Sequence, residues 1–311
     1  MPCTIVIKIG TSSIIDETTH TVRYSLLEGI ATTIASLRED GFRVILVSSG
    51  AVGFGLMRLD LASRPDSLSC KQALAAVGQA QMMSAWVNVF AEKGMTAAQV
   101  LLTQGDISCP QRYENAVRTF HRLLSFGVVP IVNENDTLST EGLKIGDNDT
   151  LGAITAAMNR ASYLFLLTDV EALYASNPKY NANASRIDLV NSIGSLKNHI
   201  DSSNLGAGSA NGTGGMATKL RAAEMASDAG IFTVITSSSR PSVVNEILEY
   251  YTEQRMDKLA SAISDSFMTD ADSSDEEDAR VRPHHTLFMP SPPQSATSES
   301  PRGYLVPSLV F

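Results

Sequence analysis

Aromatic residues make up only 6% of this 311-residue chain, with a single tryptophan, although 43% of its residues are hydrophobic. A core of this composition is aliphatic, and it is large enough for one big α/β domain or two. Cysteine is scarce. Cys3, Cys70 and Cys109 show neither a pairing pattern nor metal-ligand spacing, which argues against a disulfide scaffold and suits a reducing compartment. The five histidines, His20, His121, His199, His284 and His285, are scattered apart from the last two, and no zinc site is read among them. No apolar run approaches the roughly 18–20 residues that a membrane span needs. Met1-Pro2-Cys3 leads straight into a strand-like run, without a basic region or a cleavage site. The expectation is a soluble, cytoplasmic protein without membrane association. The net charge is −9, but Ser264–Ala279 holds seven acids and no base, and without them it would be −2. Nothing in so neutral a remainder suggests a nucleic-acid surface. No Walker A loop, G-x-x-x-x-G-K-[ST], occurs in the chain.

What is present is an alternation of short β-branched runs with helical stretches. Strands are predicted at 4–9, 43–48, 97–102, 128–132, 163–167 and 231–235. Helices are predicted at about 22–40, 71–93, 110–126, 149–160, 216–229 and 241–251. Pro110 sits where a first-turn proline belongs and Gly127 follows the same helix. In the 71–93 helix, Leu74, Val77, Ala80 or Gln81, and Ala85 are expected to share one side. Such βα alternation implies α/β architecture, a mostly parallel central sheet with helices on both faces. Lys197–Gly215, rich in Gly, Ser and Asn, reads as a loop. After about residue 256 the acidic run leads into a Pro/Ser-rich tail, Met289–Arg302, expected to be disordered.

Four apolar runs end directly in small polar signatures: Gly10-Thr11-Ser12-Ser13, Ser48-Ser49-Gly50-Ala51, Asn133-Glu134-Asn135-Asp136 and Thr168-Asp169. Ligands of open α/β sheets bind beyond the carboxyl ends of the strands. Lys8, near the end of the first run, needs a partner if its strand is central, or points outward if the strand is an edge. The serine–glycine turn offers hydroxyls and N–H groups to a carboxylate, or is an ordinary strand–helix connection. Asn133–Asp136 and Gly146-Asp147-Asn148-Asp149 concentrate acids and asparagines that suit an ammonium group, the lysines or Mg²⁺, or else form an Asx-turn-rich solvated loop. Thr213-Gly214-Gly215-Met216-Ala217-Thr218-Lys219 runs from a glycine-rich loop into a helix. It can cradle an anion, with Lys219 one turn in, or be a flexible linker before a solvated lysine. Together the segments supply what phosphoryl transfer requires, cations against the migrating group and carboxylates to hold them.

These motifs, together with Lys71-Gln72-Ala73-Leu74-Ala75-Ala76-Val77-Gly78-Gln79 and in this order over about residues 3–256, resemble the glutamate 5-kinase family within the amino acid kinase superfamily. The Ser-Ser-Gly-Ala turn is unlike the glycine-rich turns of acetylglutamate and uridylate kinases. The resemblance implies a three-layer αβα sandwich and ATP-dependent phosphorylation of the L-glutamate γ-carboxylate to γ-glutamyl phosphate, the first step of proline synthesis. It implies that Lys8 and Lys219 stabilise the transferred phosphoryl group and that Asp149 orients them. Ser49, Asp136 and Asn148 would bind glutamate. Lys8, Thr168, Asp169, Thr213, Gly214, Gly215, Met216, Ala217, Thr218 and Lys219 would bind ATP, with Mg²⁺ carried by the phosphates. It also implies feedback inhibition by proline, homo-oligomerisation and a glutamyl phosphate reductase as a possible partner. A carboxylate nucleophile is ionised at pH 7 and needs no general base.

The chain departs from the family in its last part. Many members carry a C-terminal PUA domain, and no complete one is read here. Residues 1–256 are expected to form the kinase domain. Residues 257–290 would be partly disordered and contain an acidic insertion and the end of that domain, since His285-Thr286-Leu287-Phe288 resembles a Gly-Thr-Leu-Phe segment; 291–311 would be a disordered tail. Ser273 and Ser274, each three residues before an acid, are candidate sites for an acidophilic kinase. The alternatives in function are another amino acid kinase, for carbamate or aspartate, or an inactive homologue that senses proline or glutamate.

Overall fold

The computed structural model describes residues 3–16, 18–61, 63, 65–138, 145, 147–176, 181, 183–196, 215–264 and 281–291. In chain order the elements are β1 (Thr4–Ile9), α1 (Thr11–Ile14), β2 (Ile15–Asp16), β3 (Thr21–Val22), α2 (Tyr24–Glu39), β4 (Arg43–Ser48), α3 (Ala51–Arg58), α4 (Leu68–Glu92), β5 (Ala97–Leu102), α5 (Gln104–Ser108), α6 (Pro110–Ser125) and β6 (Val129–Glu134). They continue with α7 (Asn148–Met158), β7 (Tyr163–Thr168), β8 (Leu173–Tyr174), β9 (Arg186–Ile187), β10 (Leu189–Val190), α8 (Ile193–Leu196), α9 (Met216–Asp228), β11 (Phe232–Ser237), α10 (Val243–Ser264) and β12 (Thr286–Phe288). Eight strands form one sheet in the order β10-β12-β11-β7-β1-β4-β6-β5. From β11 across to β5 every pairing is parallel; β12 runs antiparallel to β11 and parallel to β10. β2–β3 and β8–β9 are separate two-stranded ribbons.

The period of two along each strand divides the core into two layers. Ile5, Ile7 and Ile9 of β1, with Val44 and Leu46 of β4, pack towards Leu27 and Ile34 of α2, Trp86 and Phe90 of α4, and Ile247 of α10. Val6, Ile45 and Val47 face the other way, with Leu151 and Ile154 of α7 and Ala222 and Ala223 of α9. Every residue of β1 is buried, because the strand lies between β7 and β4 with helices over both faces. Lys8 therefore belongs to an interior strand and, by parity with Val6, shares the α7–α9 side.

Several expectations are corrected. The buried face of α4 is Leu74, Ala75, Gly78, Met82, Ala85, Trp86, Val89 and Phe90; Val77 is half-buried, and Ala80 and Gln81 are exposed. The reason is α3. A Cβ on Gly78 would lie 1.7 Å from Ala51 O and 2.3 Å from Gly55 N, so the two backbones touch and the apolar stripe turns towards them. The strand expected to end at 132 continues through Asn133 and Glu134, which pair with Leu101 and Leu102 of β5 and are buried. The last helix starts at Val243 and runs on to Ser264, through residue 256, and β12 extends the sheet beyond it. Residues 197–214, 265–280 and 292–311 lie outside the described residues, and with them fall the glycine-rich loop before Gly215, Ser273, Ser274 and most of the tail.

Candidate active site

β1, β4, β6 and β7 are neighbouring strands whose carboxyl ends open onto one edge of the sheet, and the sequence signatures follow directly. The centre of that edge is Asp149, which is fully buried on the first turn of α7. Asp147 caps the helix, accepting the Thr150 N–H at 2.9 Å, and so fixes where the first turn points. Lys8 Nζ lies 2.5 Å from Asp149 Oδ1, and Lys219 Nζ 3.4 Å from Asp149 Oδ2. The two lysines are only 5% and 8% exposed. The stem of Lys8 runs along Gly152, where a Cβ would come within 3.4 Å of Lys8 Cβ. Thr218 Oγ1 donates to Asp149 Oδ2 (2.7 Å) and accepts from the Gly215 N–H (3.1 Å), which pins the start of α9 to the same carboxylate.

The electrostatics follow from this packing. Burial works against ionisation of Asp149, but the charges of Lys8 and Lys219 and the hydrogen bond from Thr218 outweigh it and hold the carboxyl at about 2. Burial pushes the Lys219 ammonium down from its ordinary value, opposed by Asp149 and assisted by Lys8. One carboxylate between two buried ammonium groups leaves a net positive, poorly hydrated patch. Such a patch strengthens attraction to an incoming anion.

A second group lies on the β4–β6 side. Asn148 Nδ2 donates to Ser49 Oγ (2.7 Å) and to Asn133 Oδ1 (2.9 Å). Asn133 Nδ2 donates to Gln79 Oε1 (2.9 Å), and Gln79 Nε2 donates to Gln99 Oε1 (3.1 Å). Glu134 accepts the Ile145 N–H at 3.2 Å. Ser49 is placed by the turn at Gly50, whose φ of +126° favours glycine. Ser48, by contrast, is turned into the core, where its Oγ accepts from Trp86 Nε1 at 2.9 Å, so only one of the paired serines faces this edge. Asp136 is half-buried in the turn after β6, its N–H bonded to Glu134 O.

On the far side, Thr168 at the end of β7 is buried and donates to Asp169 Oδ1 (3.0 Å), while Asp169 is exposed. Ser238 N–H donates to Thr168 O, and Ser13 Oγ lies 2.8 Å from Ser238 Oγ, joining the turn after β1 to the end of β11. Gly215 and Met216 are half-buried and Ala217 is exposed; Thr213 and Gly214 lie outside the described residues. The structure thus brings Lys8, Asp149, Thr218 and Lys219 together in one cluster, and Ser49 with Asn148 in another. It adds Gln79, the end of the Lys71–Gln79 motif, to which the sequence assigns no role, and Gln99, which the sequence does not single out.

The family model of the amino acid kinase family matches residues 4–237. The chain belongs to the amino acid kinase family. It is 49% identical to a probable glutamate 5-kinase of Schizosaccharomyces pombe, over 79% of this chain and 60% of that protein. It is 48% identical to a glutamate 5-kinase of Synechococcus elongatus, over 79% of this chain and 66% of the relative. The chain therefore spans about three-fifths to two-thirds of the length of these curated relatives. The family's fold is seen in the UMP kinase from Ureaplasma parvum, with a TM-score of 0.57, 15% identity and coverage of 93% of this chain and 99% of that one. It is seen again in the T. acidophilum isopentenyl phosphate kinase, with a TM-score of 0.55, 15% identity and coverage of 78% and 95%. Among the described residues, no helix is long and apolar enough to cross a membrane.

Proposed function

We propose that this amino acid kinase transfers the γ-phosphoryl group of ATP to the γ-carboxylate of L-glutamate. The observation that carries this is the buried Lys8–Asp149–Lys219 cluster beside the Ser49–Asn148 pair. Two identical roles are not needed of the lysines. Each ammonium offsets charge as it spreads over the oxygens of the migrating group, and Asp149 keeps both in place beforehand, so little reorganisation accompanies the reaction. A carboxylate oxygen of glutamate forms a bond to the γ-phosphorus while the bond from phosphorus to the β–γ bridging oxygen breaks. The products are γ-glutamyl phosphate and ADP, and no proton changes hands. The γ-carboxylate is ionised at neutral pH, which is why a cluster without a general base suffices.

Ser49, Asp136 and Asn148 bind glutamate in this scheme; Thr168, Asp169 and the segment Thr213–Lys219 bind ATP. Both oxygens of Asp149 are engaged by Lys8, Lys219 and Thr218, so this carboxylate fits a lysine-orienting role. Mg²⁺ then travels on the ATP phosphates, where it neutralises charge and keeps most of its water. Proline inhibition, homo-oligomerisation, a reductase that takes up the acyl phosphate and a cytoplasmic setting belong to the same proposal, on the strength of the relatives named glutamate 5-kinase. The test is hydroxamate formation with ATP, each of L-glutamate, L-aspartate and carbamate, and added proline. Product with glutamate alone, reduced by proline, is expected. Product with aspartate or carbamate instead, or none with any acceptor, would overturn the assignment.

A further inference from the structure

We propose that Gln79 is a positioning residue that sets the direction of a hydrogen-bond relay, and through it which atoms of Asn148 and Ser49 face the amino-acid substrate. This rests on the glutamate kinase reading above.

The relay runs Ser49–Asn148–Asn133–Gln79–Gln99, with contacts of 2.7, 2.9, 2.9 and 3.1 Å. It joins the end of β4, the first turn of α7, the end of β6, α4 and the edge strand β5. A carboxamide has two donor hydrogens on nitrogen and an acceptor-only oxygen, so each member dictates the orientation of the next. In the arrangement described, the amides donate outwards, towards Gln99. Asn148 uses both amide hydrogens, on Ser49 and Asn133, and its remaining polar atom is the carbonyl oxygen. Ser49 accepts from Asn148, and its own hydroxyl hydrogen remains to donate. An acceptor beside a donor matches the ammonium and carboxylate of an α-amino acid. Reversed, the relay would turn Asn148 over and present N–H groups to the substrate ammonium, leaving donors facing donors.

The chemistry of side chain 79 decides between the two directions. Gln79→Glu supplies only an acceptor, so Asn133 must keep donating to it and the productive direction is retained; the exposed Gln99 amide can turn over to suit. Gln79→Lys supplies only donors and imposes the reverse. Simple charge attraction for an anionic substrate predicts the opposite ranking, with lysine favourable and glutamate unfavourable.

The experiment measures KM for glutamate and for ATP, kcat, calorimetric Kd for L-glutamate and melting temperature for wild type, Q79E, Q79K and Q79L. The expected result is a glutamate KM and Kd raised about tenfold in Q79K, to a smaller extent in Q79L, and kept within about threefold in Q79E. The KM for ATP and kcat should change much less in all three. If Q79K does not fold, Q79L against Q79E gives the same comparison. Equal effects of Glu and Lys, or a Lys variant that binds glutamate as tightly as wild type, would overturn the relay. Wild type that binds glutamate without turning it over would overturn the kinase reading while the Kd series still judged the relay. No glutamate binding by wild type would overturn both.

Discussion

Lys8 illustrates how a single residue carries information. A lysine in the run Ile5-Val6-Ile7-Lys8-Ile9 needs an anionic partner once both sheet faces are covered, and Asp149 is that partner. The residues alone do not say which acid of the chain meets it; the family resemblance implies Asp149, 141 residues away in sequence, and the packing of α7 against β1 brings the two together. Lys219→Ala is expected to lower kcat by about 10²–10³-fold, as for loss of one preorganised charge-stabilising donor. Its melting temperature should stay near wild type, and turnover like wild type would refute the assigned role. Asp136→Ala should raise the KM for glutamate more than it lowers kcat, as steady-state kinetics can show. A different residue governs acid stability. His285 is fully buried; its Nδ1 donates to Pro283 O, and its Nε2 lies 2.8 Å from Tyr251 OH and 3.1 Å from Arg282 Nη2. Burial, helped by the charge of Arg282 and Arg186 and opposed by Asp188, holds its pKa at about 4 instead of 6.5. The unfolded chain takes up this proton near pH 6.5 and the folded one only near 4. Stability is therefore full above 6.5 and falls as the pH drops towards 4, by about 2 kcal/mol at pH 5. Asp149 adds its own loss only below its ordinary value of 3.8. Melting temperatures at pH 5 and 7 should converge in His285→Gln.

At the level of elements, the contact between α3 and α4 places the turn that carries Ser49. Gly55 and Gly78 are its points of closest approach, since a Cβ on Gly55 would fall 2.1 Å from Leu74 O. Gly78→Ala is expected to force the helices apart. Because the obstructing atoms are backbone, the cost should reach about 3 kcal/mol, the upper part of the range for overpacking. That corresponds to a fall in melting temperature of roughly 6–12 °C for a domain of this size. Helix existence was legible from periodicity and stop signals, and Pro110 does open α6. The buried face of α4 was not legible, because that helix carries many small residues and its orientation is set by where α3 touches it.

For the whole molecule, the position of β12 is decisive. It lies between β10 and β11, so the chain returns to the sheet after the acidic stretch and fills a place inside it. Leu287 belongs to one core layer and Phe288 to the other. Truncation before Thr286 should expose the edge of β11, remove both side chains from the core and reduce soluble yield; an unchanged melting curve would contradict the role given to β12. The sequence by itself determined the parallel βα framework, because strand period is a local property of the chain; it marked Lys8 and Lys219 as candidates and left open whether either faces a site. Asp149 as the acid that orients both lysines came from the family resemblance; only the tertiary structure decided which of its oxygens each lysine meets, that Ser48 serves Trp86 while Ser49 serves Asn148, and that Gln79 and Gln99 extend the relay. Those relations depend on strand order and helix packing, which bring together residues that no local pattern connects.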